Sequence, residues 1–244
     1  MCRMFCLSGN YSKDYQRIIE SFLEITKKDP IITNKEGNFT SHDHGWGYVH
    51  HDEYSLNFFR SKVPVFESDV PKFSSGNLIF HARKAAPGEP MGILASHPHY
   101  EIDEEYEVFL SHNGWFDKQA IAKEINISNI GKWVDSQMFL KFIMSFKGKF
   151  ENRLKEALFQ AHKKKLIKST ANLMILSIDR SSGESKVYYY TDVAEGREYT
   201  NYVKLYHAKT DDWKGVFSSS IVIPNSFPKN VELTEVERGI INIL

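Results

Sequence analysis

The sequence predicts an α+β fold, because strand-like, helix-like and again strand-like segments follow one another along the chain. The chain has 244 residues, of which 41% are hydrophobic, enough to bury a substantial core. After residue 171 no helical pattern interrupts the strand-like segments. Successive strands without intervening helices favour antiparallel sheets over a parallel doubly wound sheet. No fixed-period repeat or Ser/Gly-rich linker divides the sequence, so we expect a single domain over residues 1–244.

The N-terminal half alternates one helix with several strands. Residues 2–8 form an apolar, strand-like run, and the spacing of the apolar side chains at 12–28 predicts an amphipathic helix. Asp29-Pro30 ends this helix, because the residue before proline disfavours the helical conformation. A polar stretch, 33–44, precedes a predicted hairpin over 45–61 that turns near residues 52–53. Strands are predicted at 76–83 and 107–112, joined by a long Pro-, Gly- and His-rich loop of the kind that is usually functional or disordered.

The C-terminal half begins with helices and ends with strands. Apolar residues at helical spacing predict helices at 116–125, 135–147 and 150–168. The last of these ends in three lysines, which a solvated helix C-terminus favours. Strand-like segments follow at 171–179, 186–192, 202–209, 215–223 and 239–244.

Composition excludes several classes of partner. The 31 basic residues balance 31 acidic ones, so no overall field attracts nucleic acid or an anionic membrane. The first twenty residues lack a signal-peptide profile, and no apolar run approaches the roughly 18 residues of a membrane helix. We therefore expect a cytoplasmic protein that binds neither nucleic acid nor membranes.

The sequence gives little support for metal-dependent catalysis, a serine nucleophile or nucleotide binding. Ten histidines include the clusters His42-Asp43-His44, His50-His51 and His97-Pro98-His99, yet no complete zinc-ligand spacing occurs. The sequence also lacks a G-x-S-x-G elbow and the glycine-rich phosphate-binding motifs. A metal-dependent hydrolase is thus a distant third hypothesis, and we expect no metal and no organic cofactor.

The two cysteines of the chain lie within its first six residues, at positions 2 and 6. On a strand, positions four residues apart are separated by about 13 Å, which is too far for a disulfide. Removal of Met1 would give Cys2 both a thiol and a free amine, whose ordinary pKa of about 7.7–8.0 suits it to accept the thiol proton. The alternative is that Cys2 packs as a small hydrophobic residue in an apolar strand.

Five segments, counted from Cys2, occur in a characteristic order along the chain. They are FHARKAAPG at 80–88, SHPH at 96–99, LSHNGWFD at 110–117 and VDSQMFL at 134–140, with Cys2 itself as the first. Together they resemble the class II glutamine amidotransferases, which are N-terminal nucleophile hydrolases, and most closely the stand-alone glutamine amidotransferase-like proteins. The resemblance spans most of the chain. It implies a four-layer αββα sandwich, in which two antiparallel sheets pack face to face with helices outside.

The resemblance also implies a role for each matching residue. Cys2 would attack the side-chain amide of glutamine, and the Asn113 side chain and Gly114 N–H would form the oxyanion hole. Arg83 would hold the substrate carboxylate and Asp135 its ammonium group. Three alternatives stay open from the residues alone: a tight Asn-Gly turn, a surface cation at 83, and a helix N-cap at 135.

The sequence departs from the better-known branch of this family directly after the arginine. That branch carries a tryptophan and then a threonine–histidine pair, whereas this chain has Lys84-Ala85-Ala86-Pro87. The substrate is therefore glutamine or another γ-glutamyl amide, and His97 and His99 are expected only in a supporting position near the pocket. An ammonia-accepting synthetase partner and a homo-oligomer both remain open. The main competing hypothesis is a non-catalytic regulatory protein that retains the fold.

Overall fold

A computed structural model describes residues 2–33, 37–131 and 133–244. Met1 and part of the predicted polar stretch at 33–44 lie outside the described residues. The described residues contain four α-helices: α1 (Tyr15–Lys27), α2 (Lys118–Glu124), α3 (Asp135–Ser145) and α4 (Phe150–Lys163). The strands are β1 (Arg3–Asn10), β2 (Asp29–Thr33), β3 (Phe39–Thr40), β4 (Trp46–His51), β5 (Leu56–Ser61), β6 (Ser75–Ala82), β7 (His99–Ile102), β8 (Tyr106–Phe116), β9 (Ile167–Asp179), β10 (Ser185–Tyr190), β11 (Leu205–Lys209), β12 (Trp213–Ser218), β13 (Glu232–Glu235) and β14 (Asn242–Ile243).

Two large antiparallel sheets organise these elements, as the sequence predicts. The first sheet has the strand order β13-β11-β12-β1-β6-β4-β5, and the second has the order β14-β10-β9-β8-β7. A two-stranded ribbon of β2 and β3 lies apart from both. The α+β fold class and the αββα arrangement are therefore confirmed.

Three hydrophobic clusters correspond to the three interfaces of the four layers. One cluster joins α1 to the outer face of the first sheet, and another joins α2, α3 and α4 to the outer face of the second. The third cluster lies between the sheets. Successive side chains of a strand point to opposite faces, so Phe5 and Leu7 of β1 pack toward α1, whereas Met4 and Cys6 pack between the sheets.

The same alternation assigns faces to the neighbouring strands. On β6, Phe80 packs toward α1 and Ile79 packs between the sheets, which places His81 on the inter-sheet face. On β8, Leu110 packs toward the helices and Phe109 between the sheets, which places Asn113 on the inter-sheet face as well.

Most predicted elements are confirmed, and the differences are local. The long loop after β6 contains the short strand β7, whose four residues include only two apolar side chains. Helix α4 ends at Lys163, earlier than predicted, because strand β9 begins at Ile167. The predicted strand at 215–223 stops at Ser218 and continues as a 3-10 helix over Ser219–Val222. No helix within the described ranges is long and apolar enough to cross a lipid bilayer.

Candidate active site

Cys2 lies immediately before β1 and is buried, with 7% of its surface exposed. Its position two residues before Met4 places it on the inter-sheet face of the first sheet. Its backbone N–H donates a hydrogen bond of 2.9 Å to Oδ1 of Asn113. This bond joins the start of one sheet to the end of β8 in the other, so the predicted nucleophile and the predicted oxyanion-hole residue are in direct contact.

The side-chain amide of Asn113 is oriented by this bond. Because the backbone N–H of Cys2 can only donate, the Asn113 atom that receives it must be the oxygen. Nδ2 therefore points elsewhere, and it donates to none of the described residues. The predicted Asn-Gly turn is wrong: both residues lie inside strand β8, paired with Asn172 and Ala171 of β9.

The backbone N–H of Gly114 points away from β9. In an antiparallel pair, hydrogen-bonded and non-hydrogen-bonded residue pairs alternate. Arg180 N–H donates to Glu105, and Ala171 N–H donates outward to Asp192, so the Gly114–Ala171 pair is of the non-hydrogen-bonded kind. On the other side of β8, strand β7 reaches only to the pair His99–Leu110. The N–H of Gly114 therefore faces an open edge of the sheet, where it can donate a hydrogen bond to a ligand oxygen.

Gly114 is also required by space. A Cβ atom at this position would overlap the carbonyl group of Thr170 on the neighbouring strand. Strand pairing is irregular between Gly114 and Phe116, consistent with a local bulge next to the site.

Arg83 lies directly opposite Cys2 when the register of β1 and β6 is continued by one residue from the pair Arg3–Ala82. It is 4% exposed, so it is not a surface cation. The only hydrogen bond of its side chain among the described residues runs from Nη1 to Sδ of Met91, at 3.7 Å, and no described carboxylate lies within ion-pair distance of it. A buried guanidinium without an anionic partner is costly, which suits a site that receives the carboxylate of a ligand.

Asp135 is the first residue of α3 rather than its N-cap, which is Val134. The helix-cap alternative is therefore wrong. Oδ2 of Asp135 accepts a hydrogen bond of 2.8 Å from Phe116 N–H, and it lies 3.8 Å from Nδ1 of His112. These contacts fix the carboxylate beside the end of β8, two residues beyond Gly114. No contact joins Asp135 to Arg83 within the described part of the chain.

The environment of Cys2 makes its thiol acidic. Burial raises the pKa of this thiol, but the interactions with His81, the N-terminal charge and the backbone of Lys84 together outweigh burial and lower the pKa to about 6. Sγ also lies 3.9 Å from the carbonyl oxygen of Lys84. Cys6, four residues away on the same face, has no such partner, and burial raises the pKa of its thiol. Both cysteines are free.

His81 is the residue of this site that the sequence reasoning missed. It stands two residues before Arg83 in the FHAR stretch and on the same face, so strand alternation alone could have identified it. His97 packs against it, with ring centroids 4.1 Å apart, and His99 follows His97 at 4.5 Å. His97 and His99 are buried, neither ring has a hydrogen-bond partner among the described residues, and burial lowers the pKa of each well below its usual value.

Metal ligation has no geometric support in the part of the chain that the structure describes. No three His, Cys, Asp or Glu side chains there are arranged to hold a metal ion. The clusters around His42 and His50 instead belong to local networks: His42 contacts Asp29, and His50 contacts the Ser75 carbonyl group.

A cavity of about 430 Å³ adjoins Asn113 and Gly114. Its wall combines apolar side chains such as Val193 with polar and charged ones, including Arg197 and Glu198, whereas Arg83 and Asp135 lie outside it. The cavity therefore adjoins the predicted oxyanion-hole residues but not the two predicted substrate-binding charges.

Two solved structures resemble the chain over nearly its whole length. One is the glutamine phosphoribosylpyrophosphate amidotransferase of B. subtilis in complex with ADP and GMP, with a TM-score of 0.65 at 15% identity, over 99% of this chain and 47% of that one. The other is titled the allosteric regulatory enzyme of purine biosynthesis, with a TM-score of 0.65 at 16% identity, over 99% of this chain and 46% of that one.

These similarities confirm, at the level of the fold, the resemblance to the class II glutamine amidotransferases. The chain spans about half the length of these two similar proteins, which are two of several that match. No protein-family model matches the sequence, and no curated protein matches it significantly.

Proposed function

We propose that this protein is an N-terminal cysteine amidohydrolase that cleaves glutamine or a related γ-glutamyl amide through a thioester on Cys2. The observation that carries the proposal is the 2.9 Å hydrogen bond between Cys2 N–H and Asn113, at a point where Arg83 stands opposite Cys2. Nucleophile, oxyanion donors and a cation for the substrate then share one inter-sheet edge.

The reaction proceeds in two stages. The Cys2 sulfur attacks the amide carbon, and its proton passes to the amine that Cys2 gains when Met1 is removed. The carbonyl oxygen becomes an oxyanion, which accepts hydrogen bonds from Asn113 Nδ2 and Gly114 N–H. The amine returns the proton to the leaving nitrogen, and the C–N bond breaks to give a thioester and ammonia or a larger amine. Water then adds to the thioester, which releases the acid and restores the thiol.

The charged residues select the acyl part of the substrate. Arg83 binds its α-carboxylate in a bidentate manner, and Asp135 accepts its α-ammonium group. Together they complement a free amino-acid head group. The carbonyl oxygen of the amide binds at Asn113 and Gly114, and its γ-glutamyl chain lies toward these charges. The amide nitrogen then faces the cavity beside Asn113 and Gly114, whose lining includes apolar side chains. This cavity favours γ-glutamyl amides that carry a substituent on nitrogen as a second substrate class besides glutamine.

The fate of the product follows from the substrate. Hydrolysis of glutamine would release ammonia that a synthetase partner consumes in the cytoplasm, whereas a substituted amide would need no partner.

The decisive experiment compares wild-type protein with Cys2→Ala. Ammonia release from glutamine and p-nitroaniline release from γ-glutamyl-p-nitroanilide are measured for each, with Cys6→Ala as the matched control. We expect Cys2→Ala to abolish both activities and Cys6→Ala to retain them, because Cys6 is a core residue. Equal activity of Cys2→Ala and wild type would remove the nucleophile assignment.

Intact mass of the purified protein separates the catalytic from the regulatory hypothesis. An enzyme of this kind must have lost Met1. An intact Met1 together with no activity toward either substrate would support a non-catalytic regulatory protein instead.

A further inference from the structure

The surroundings of His81 determine which nitrogen of its neutral ring carries the hydrogen. Nε2 lies 3.2 Å from the carbonyl oxygen of His112, and a carbonyl can only accept, so Nε2 carries the hydrogen. Nδ1 then bears the lone pair of the neutral ring. Nδ1 is buried and has no hydrogen-bond partner among the described residues. A buried base with a free lone pair thus stands on the inter-sheet face beside Cys2.

The Cys2 thiol has two neighbours that could receive its hydrogen. The Lys84 carbonyl oxygen, at 3.9 Å, accepts a weak hydrogen bond but cannot take up a proton. The imidazole of His81 can take it up, because the buried Nδ1 has a free lone pair. His81 also stands opposite Met4, diagonal to Cys2, which is within reach of a long side chain across an antiparallel pair.

We propose that His81 is a catalytic residue that accepts the thiol proton of Cys2 at Nδ1, so that the resting site holds a thiolate–imidazolium pair. This inference rests on the assignment of Cys2 as the nucleophile. The S–H bond breaks, an N–H bond forms on Nδ1, and no other reactant is needed. The amine of Cys2 is then free to assist the leaving nitrogen, and ionisation of the thiol no longer depends on removal of Met1.

The groups around this pair are consistent with such a role. His97 and His99 lie behind His81, and burial keeps both neutral because it lowers their pKa values. Burial likewise lowers the pKa of His112, which interacts with Asp135. The cation of Arg83 stands opposite Cys2, and the N-terminal charge lowers the pKa of the Cys2 thiol, whereas the phenol group of Tyr202 is buried and its pKa is raised, so it stays neutral.

The test measures the acidity of Cys2 independently of amide hydrolysis. The rate of alkylation of Cys2 by iodoacetamide is followed between pH 4.5 and 10 by peptide mass spectrometry. The midpoint pH is compared rather than the rate, because a less acidic thiolate is also more nucleophilic. The variant is His81→Gln, which retains an N–H donor for the His112 carbonyl group but has no basic nitrogen. His99→Gln is the matched control, one ring further from the thiol than His97.

We expect a midpoint near pH 6 in wild type and in His99→Gln, and a midpoint above about 8 in His81→Gln, toward the ordinary thiol range. Circular dichroism checks that each variant is folded, and His81→Asn replaces His81→Gln if the latter is not. A midpoint unchanged in a folded His81 variant overturns the inference and leaves the amine as the base.

A protein form that retains Met1 provides the second arm. We expect its midpoint to stay near 6, whereas a rise to above 8 would assign the acidity to the free amine and overturn the inference. A low midpoint that depends on His81, in a protein without amidase activity, would refute the proposed function but support the pair. The two failures are therefore distinguishable.

Discussion

Asn113→Asp separates the two tasks of the Asn113 side chain. Aspartate keeps an oxygen where Oδ1 accepts the Cys2 N–H at 2.9 Å, but it replaces the Nδ2 donor by a second acceptor. Loss of one oxyanion donor typically lowers the rate by a factor of about 10²–10³. We therefore expect kcat/KM to fall by at least about 100-fold, with little change in the free energy of unfolding. Asn113→Ala removes the acceptor as well, and the unpaired buried N–H then costs about 1–3 kcal/mol of stability.

The assay combines kcat/KM for γ-glutamyl-p-nitroanilide with urea unfolding of both variants. Alkylation of Cys2 is measured in parallel, since a carboxylate at position 113 also disfavours the thiolate. Comparison at the pH where each variant is fully alkylatable removes that contribution. If Asn113→Asp then retained more than about a third of wild-type kcat/KM, Nδ2 would not be an oxyanion donor, and the proposed geometry would be refuted.

Three further predictions concern the glycine, the arginine and acid stability. Gly114→Ala is expected to lower both the activity and the midpoint of unfolding, because the added Cβ atom would overlap the Thr170 carbonyl group. Gly131→Ala is the control, because the space around Gly131 is open. Equal activity and stability of the two variants would contradict the role of Gly114. Arg83→Lys is expected to raise KM by about 10- to 100-fold with a smaller change in kcat, because a lysine cannot bind a carboxylate in a bidentate manner; a changed kcat at constant KM would exclude the clamp. The free energy of unfolding is expected to fall below pH 6.5, because the unfolded chain then binds a proton at His42, whereas burial lowers the pKa of His42 in the fold to about 4. It is expected to fall further below pH 3.8, because the unfolded chain then binds a proton at Asp29 as well. Burial raises the pKa of Asp29 in the fold, but contacts with His42 and Arg3 outweigh burial and lower this pKa to about 2. His42 alone contributes about 3 kcal/mol between these limits, and a flat stability profile in urea from pH 7 to 4 would contradict this.

The sequence predicts the layered fold well because apolar periodicity reports local structure directly. The helix at 15–27 and the hairpin around residues 52–53 each follow from patterns within a few residues. Strand β7 escapes prediction because His99–Ile102 is short and mostly polar, and it is a strand only through its pairing with β8. The 3-10 helix at Ser219–Val222 is likewise decided by its packing against the rest of the fold, since its sequence remains β-like.

The candidate site follows from the sequence only in part. The inter-sheet face of the sheets carries Cys2, Arg83 and Asn113. Each of them is an even number of residues away from a core residue that packs between the sheets, and this spacing can be counted in the sequence. The position of Asp135 cannot be counted in this way. Its carboxylate reaches the site through a backbone N–H of Phe116 that the end of β8 leaves unpaired, a contact that exists only in three dimensions.

The Asn-Gly pair shows why a local signal can mislead. Asn-Gly is the strongest short signal for a hairpin, because both residues tolerate the backbone angles of a tight turn. Here the glycine is needed for the absence of its Cβ, since strand β9 approaches closely at Thr170, and the asparagine is needed for its amide. The same Asn-Gly pair is thus suited both to a hairpin turn and to a strand edge that binds a ligand. Only the strand that pairs with it distinguishes the two structures.

Cys2 and Cys6 show that residue type and face together do not determine reactivity. Both thiols are buried on the inter-sheet face of the same strand region, four residues apart, and burial by itself raises the pKa of each. Cys6 is surrounded by apolar side chains of the inter-sheet core, and its contact with the backbone of Val216 does not outweigh burial, so the thiol remains protonated. Cys2 lies where that core ends, the Lys84 carbonyl group lies 3.9 Å from its sulfur, and interactions with His81 lower the pKa of its thiol. The reactive position is therefore defined by the end of the apolar layer between the sheets, where polar groups from β1, β6 and β8 can meet one another while still largely shielded from water.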